Sequence, residues 1–139
     1  MPLDGFPSLC EERAKTILSQ DRRNPQKHIG QNKDYCAVSH YQIDGVVLKE
    51  GKRCDFLLMN DEKRTAYLIE LKGSDLCRAA QQLEATAAAL SQPLSGYTLY
   101  YRIIANKCKT QEIESTAFLK YRMKWKRLKY GSKTIEEEI

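Results

Sequence analysis

"CDFLLMNDEKRTAYLIELKG", residues 54–73, is the stretch on which the reading of this chain turns. Two apolar runs, 54–60 and 65–72, flank the polar tetrapeptide Asp61-Glu62-Lys63-Arg64. Near-continuous Leu, Ile and Val runs of this length read as strands buried on both faces. The runs are interrupted by Asp55 near the start of the first, and by Glu70 and Lys72 near the end of the second. A charge in a core strand is expensive unless it is paired or binds a metal.

A four-residue connection makes the two runs a hairpin, a common loop length. Antiparallel partners then share a constant sum. Position 60 faces 65, and Asp55 faces Glu70, with Cβ atoms about 5 Å apart. Lys72, two residues beyond Glu70, falls on the same face. Two adjacent carboxylates repel unless a cation lies between them. Magnesium suits such a pair, taking a few carboxylates together with waters and phosphate oxygens. The competing reading of Asp55, Glu70 and Lys72 is an ion-paired set closing a sheet edge. Buried ion pairs stabilise poorly compared with apolar packing, which favours a site.

Outward from the hairpin, "SDLCRAAQQLEATAAALSQ" (74–92) is an alanine-rich helix with an apolar stripe at Leu76, Ala80, Leu83, Ala87 and Leu90, stopped by Pro93. Residues 96–106, "GYTLYYRIIAN", read as a strand. Upstream, residues 7–23 read as a first helix: Ser8 and Glu11 fit a capping box, and Cys10, Ala14, Ile17 and Leu18 recur at helical spacing. Residues 24–35 read as a polar loop, and 37–51 as a strand with a turn or bulge at Asp44-Gly45. The tail is ambiguous. Phe118, Tyr121, Trp125 and Leu128 match a helical face while "LKYRMKWK" alternates as a strand; a helix is expected there, then a short strand near "KTIEEEI". The predicted class is α/β, a small mixed central sheet flanked by helices in the order α-β-β-β-α-β.

Composition narrows the function. The chain has 139 residues, expected to form a single domain, with a basic extension at about 107–139. The net charge is +5, and Lys107 to Lys129 carries eight basic residues against Glu112 and Glu114. Such a stripe points to a polyanion, most often nucleic acid. Aromatics among these cations (Tyr121, Trp125, Tyr130) either stack on bases or bury on the core. The five cysteines are scattered without a CxxC pair, and His28 and His40 are expected in loops or at the surface, so a thiolate zinc site is not expected. No leader or membrane-spanning segment is expected, and reduced thiols suit the cytoplasm.

Asp55, fourteen intervening residues, then Glu70-Leu71-Lys72 resembles the PD-(D/E)XK nuclease superfamily, the restriction endonuclease-like fold. The resemblance covers roughly residues 8–106, including the element order. It implies a divalent-metal-dependent endonuclease hydrolysing DNA, with RNA as an open alternative. Asp55, Glu70 and the Leu71 carbonyl would hold Mg2+ or Mn2+, and Lys72 would position or activate water. It further implies a metal contact from the first helix. Glu11 borders that helix's apolar stripe and is preferred to Glu12, although Glu11 also fits the capping role. A glutamine on the second helix matches at Gln82, which alternatively is a solvent-exposed helix residue; the accompanying tyrosine is missing. The family's proline before the aspartate is replaced by Cys54. Lys120, Arg122, Lys124, Lys126 and Arg127 are the expected nucleic-acid contacts, and a homodimer or an accessory protein the expected partner. A catalytically silent nucleic-acid-binding or protein-interaction module is the alternative.

Overall fold

The computed structural model describes residues 3–71 and 74–139. It is a mixed α/β fold with two sheets and three helices. The larger sheet has the order β3(Val38–Gln42), β4(Phe56–Asn60), β5(Thr65–Glu70), β6(Thr98–Ala105) and β7(Leu128–Ser132). β3, β4 and β5 are antiparallel neighbours; β6 runs parallel to β5, and β7 to β6. The β5-to-β6 crossover is α1(Leu76–Ala89), and α2(Thr110–Ile113) and α3(Thr116–Lys124) connect β6 to β7. The smaller sheet joins β1(Thr16–Gln20) antiparallel to β2(Lys27–Gln31), with β8(Thr134–Glu138) parallel to β2.

Every residue of β4 is buried, as befits a strand covered on both faces. One face carries Leu57, Met59, Leu68 and Ile103 against Leu76, Ala80 and Leu83 of α1 and Phe118 of α3. The other carries Leu58, Ile69 and Ile104 against Ile17 and Ile139. The molecule is thus layered as helices, large sheet, small sheet. Gly30 permits the close sheet-to-sheet contact, since a Cβ there would stand 2.8 Å from Leu58 Cδ2 and 3.3 Å from Ile139 Cγ2.

The hairpin and the long helix lie where the sequence places them. β4 and β5 pair from Asn60↔Thr65 to Phe56↔Ile69, the register obtained by counting. α1 is capped by the Asp75 carboxylate, which accepts the Arg78 N–H at 3.0 Å. α3 and β8 fall where the tail was expected to be helical and then extended.

The N-terminal third differs from expectation. No helix forms over 7–23. Residues 9–12 run beside β3, with Leu9 N–H on the His40 carbonyl and Val38 N–H on the Glu12 carbonyl. Ser8 Oγ accepts the N–H groups of Cys10 and His40, so the expected capping box does not exist. Period two prevails from Thr16 onward: Ile17 and Ser19 are buried while Leu18 is exposed. Residues 24–35, expected as a loop, contain β2, and both histidines are buried in strands. Residues 107–139 are built into the fold, because β7 and β8 each complete a sheet. No helix among the described residues is long and apolar enough to cross a membrane.

Candidate functional site

Three consecutive residues tie the approach to β4 onto α1. Lys52 Nζ donates to Gln81 Oε1 at 2.9 Å, Arg53 N–H to Gln82 Oε1 at 2.7 Å, and Cys54 N–H to Thr86 Oγ1 at 2.7 Å. A proline at 54 has no N–H and would leave the buried Thr86 hydroxyl without this donor. The residue that departs from the nuclease pattern therefore has its own structural role here. Gln82 is half-buried and engaged, unlike an exposed helix glutamine.

Asp55 follows at once, 6% exposed. Its Oδ2 accepts the Leu71 N–H at 2.8 Å, and its own N–H donates to the Ile69 carbonyl at 3.1 Å. Ile69 already faces Phe56, so the ladder bulges at Asp55 and re-aims this side chain. Glu70, 3% exposed, ends β5. Both carboxylates lie near Cys54, whose thiol is pushed up chiefly by burial and further by their negative charge.

Asp55 and Glu70 open into adjoining cavities rather than one. The first, about 570 Å3, is lined by Asp55, His40, Leu18 and Arg22, among others. The second, about 680 Å3, is lined by Glu70, Asp75, Arg78 and Gln82 together with Asn24 and Arg53. Asp44 lines both. It sits in the turn with Gly45, whose φ of +81° favours glycine, and its Oδ1 accepts from Arg53 Nε at 2.7 Å. His40 is held neutral at pH 7: burial, then the charge of His28, brings its pKa down to about 4, and its Nε2 lies 2.8 Å from Ser19 Oγ.

Lys72 lies outside the described residues, as does Gly73. Glu11 is exposed in the loop before β1 and lines neither cavity, since the helix expected to present it is absent. Leu71 is fully buried against the small sheet. Among the described residues no group of three or more His, Cys, Asp or Glu side chains comes together. The donors present are nevertheless hard carboxylate oxygens, which suit Mg2+ or Mn2+ and not a soft metal.

Lys120, Arg122, Lys124, Lys126 and Arg127 are all exposed, but none lines either cavity. Lys124 pairs with Glu84 at 2.8 Å, Arg122 Nη1 donates to the Ile113 carbonyl at 3.2 Å, and Arg127 Nε to the Leu99 carbonyl at 3.0 Å. The neighbouring aromatics turn inward: Trp125 is buried and stacks on Tyr101 with ring centroids 4.0 Å apart. The cations that do line the cavities are Arg22, Arg23, Lys52, Arg53 and Arg78. Sequence reasoning passed over them because they are dispersed through three segments, and only "DRRN" (21–24) offered a local signal.

In comparisons with known proteins, no family model, no curated protein and no solved structure matches the chain.

Proposed function

We propose that this protein is a divalent-metal-dependent nuclease that hydrolyses phosphodiester bonds in DNA, with a PD-(D/E)XK-type site on a restriction endonuclease-like core. The observation that carries the reading is the placing of Asp55 and Glu70. Two nearly buried carboxylates stand at neighbouring ends of the central strands β4 and β5, beside adjoining cavities lined by cations. Burying carboxylates there is costly without a compensating charge. Support also comes from the β-β-β-α-β order of β3, β4, β5, α1 and β6. The initial helix of that core is absent, and β1 and β2 stand in its place along the chain.

In this reading Asp55, Glu70 and the Leu71 carbonyl are the ligands of Mg2+ or Mn2+. The ion, when bound, supplies Lewis acidity toward the phosphoryl oxygens and acidifies water. Glu11 is left out of the ligand set. Lys72 is assigned from its place in Glu70-Leu71-Lys72, where its ammonium orients water and stabilises charge growing on the phosphate. Water adds at phosphorus, the bond to the leaving oxygen breaks, and the proton released passes to solvent. A second copy of the chain or an accessory protein supplies sequence preference.

The second reading is a catalytically silent nucleic-acid-binding or protein-interaction module. It is favoured by the Leu71 N–H already held on Asp55 Oδ2, which uses part of that carboxylate within the fold.

Incubating the protein with supercoiled plasmid, linear duplex and single-stranded DNA, in Mg2+, Mn2+ or EDTA, tests the choice. The expected result is cutting that needs metal and falls by about a hundredfold or more in Lys72→Ala. DNA binding without cutting selects the silent module.

A further inference from the structure

The β1–β2 turn is the one element that reaches both cavities: Asp21, Arg22 and Arg23 line the cavity of Asp55, and Asn24 lines that of Glu70. Hydrogen bonds fix it. Asp21 Oδ1 accepts the Arg23 N–H at 3.2 Å, and the Asp21 carbonyl accepts the Asn24 N–H at 3.2 Å. Among the described residues no ion pair engages Arg22, Arg23 or Arg78. All three are exposed. They surround a cleft that contains Asp44, Asp55 and Glu70, so a polyanion can approach it only if local cations offset that charge.

Distance rules out the α3 cations for this task. Lys124 is anchored to Glu84, nine residues beyond Asp75 at the start of α1, which is about 13 Å along a helix axis. Exposed charges are largely screened beyond about 8 Å at physiological salt. Arginine also grips phosphate through a two-pronged set of donors that lysine lacks.

We infer that the β1–β2 turn is the phosphate-binding rim of the cleft, with Arg22 and Arg23 on one side and Arg78 on the other holding the backbone of a DNA strand laid across Asp55 and Glu70. The inference rests on the proposed nuclease site for where the strand lies. It stands apart from the chemistry, because binding is measurable without cutting.

The test is fluorescence anisotropy of the full chain with labelled duplex and single-stranded DNA, in EDTA and again in Ca2+, across about 50 to 200 mM salt. Wild type is compared with Arg22→Ala/Arg23→Ala and with Lys120→Ala/Lys126→Ala. Each lost duplex phosphate contact lowers the slope of log affinity against log salt by about 0.9. The turn variant is therefore expected to lose about 1.8 of slope. Over a fourfold rise in salt, its affinity then falls about twelvefold less than that of wild type. The lysine variant is expected to change less than half as much. A turn variant that matches wild type, an equal loss in the two variants, or a wild type that binds no DNA overturns the inference. The first two results leave the nuclease reading intact. Binding that depends on Arg22 and Arg23 without any cutting supports the rim and retires the nuclease.

Discussion

Replacing Arg102 with Met removes the centre of the one extensive buried ionic network joining the two sheets among the described residues. Arg102 lies on β6, 3% exposed, and donates through Nε and Nη2 to Glu137 of β8 at 2.6 and 2.9 Å. His28 of β2 meets the same carboxylate at 2.8 Å. Burial pushes the Glu137 carboxyl upward, but the bonds and charges of His28 and Arg102 outweigh it and bring the pKa from 4.5 down to about 2. That depression stabilises the fold fully above pH 4.5, and the gain is lost as pH falls toward 2. At 1.36 kcal/mol per pKa unit it amounts to about 3 kcal/mol at pH 7. The figure agrees with the roughly 3–5 kcal/mol lost when one partner of a buried pair is removed. At roughly 4 °C per kcal/mol for a chain of this size, the melting temperature of Arg102→Met falls by about 12 °C. By about pH 3 only about 1.4 kcal/mol of the Glu137 contribution survives, so the gap between wild type and variant narrows by about half. Melting followed by circular dichroism at the two pH values reads both quantities. A gap under about 1 kcal/mol at pH 7, or one undiminished at pH 3, would refute the network as the tie between the sheets.

Three further outcomes are expected. Wild type begins to lose stability as pH falls below 6.5, because His40, neutral in the fold down to about 4, is protonated in the unfolded chain; in His40→Gln, urea titrations at pH 7 and 5 show that part of the loss gone. Gly30→Ala crowds Leu58 and Ile139 and costs about 1–3 kcal/mol by urea unfolding. Asp75→Ala removes the acceptor of the Arg78 N–H at the start of α1 and costs about 1 kcal/mol, again by urea unfolding.

The parts legible in the sequence are those whose burial is apolar. β4, β5 and α1 announce themselves by Leu, Ile and Ala at the right periods, and the hairpin register follows from the loop length. The small sheet was misread because its inward positions are polar or lack a side chain: Ser19 of β1, His28 and Gly30 of β2, Glu137 of β8. Each polar one is satisfied by a distant partner, Ser19 by His40 and His28 by Glu137. Pairings that far apart leave no local trace, and a strand whose inner face is polar reads as a loop. The helical stripe seen at Cys10, Ala14, Ile17 and Leu18 spread residues that the fold puts on opposite faces, with Ile17 buried and Leu18 half exposed. At the candidate site the same division holds. Asp55 and Glu70 were found by spacing, whereas the bulge that turns Asp55 toward a separate cavity, and the Arg22–Arg23 turn beside it, depend on tertiary placement.

The central claim is tested most directly by comparing plasmid cleavage in Mg2+ by wild type and by Glu70→Gln, a variant close in shape, with thermal melts run alongside. The account predicts metal-dependent cutting by wild type and a fall of about a hundredfold or more in the variant at an unchanged fold. Equal cutting by the two proteins, or no cutting by wild type in either Mg2+ or Mn2+, would contradict it.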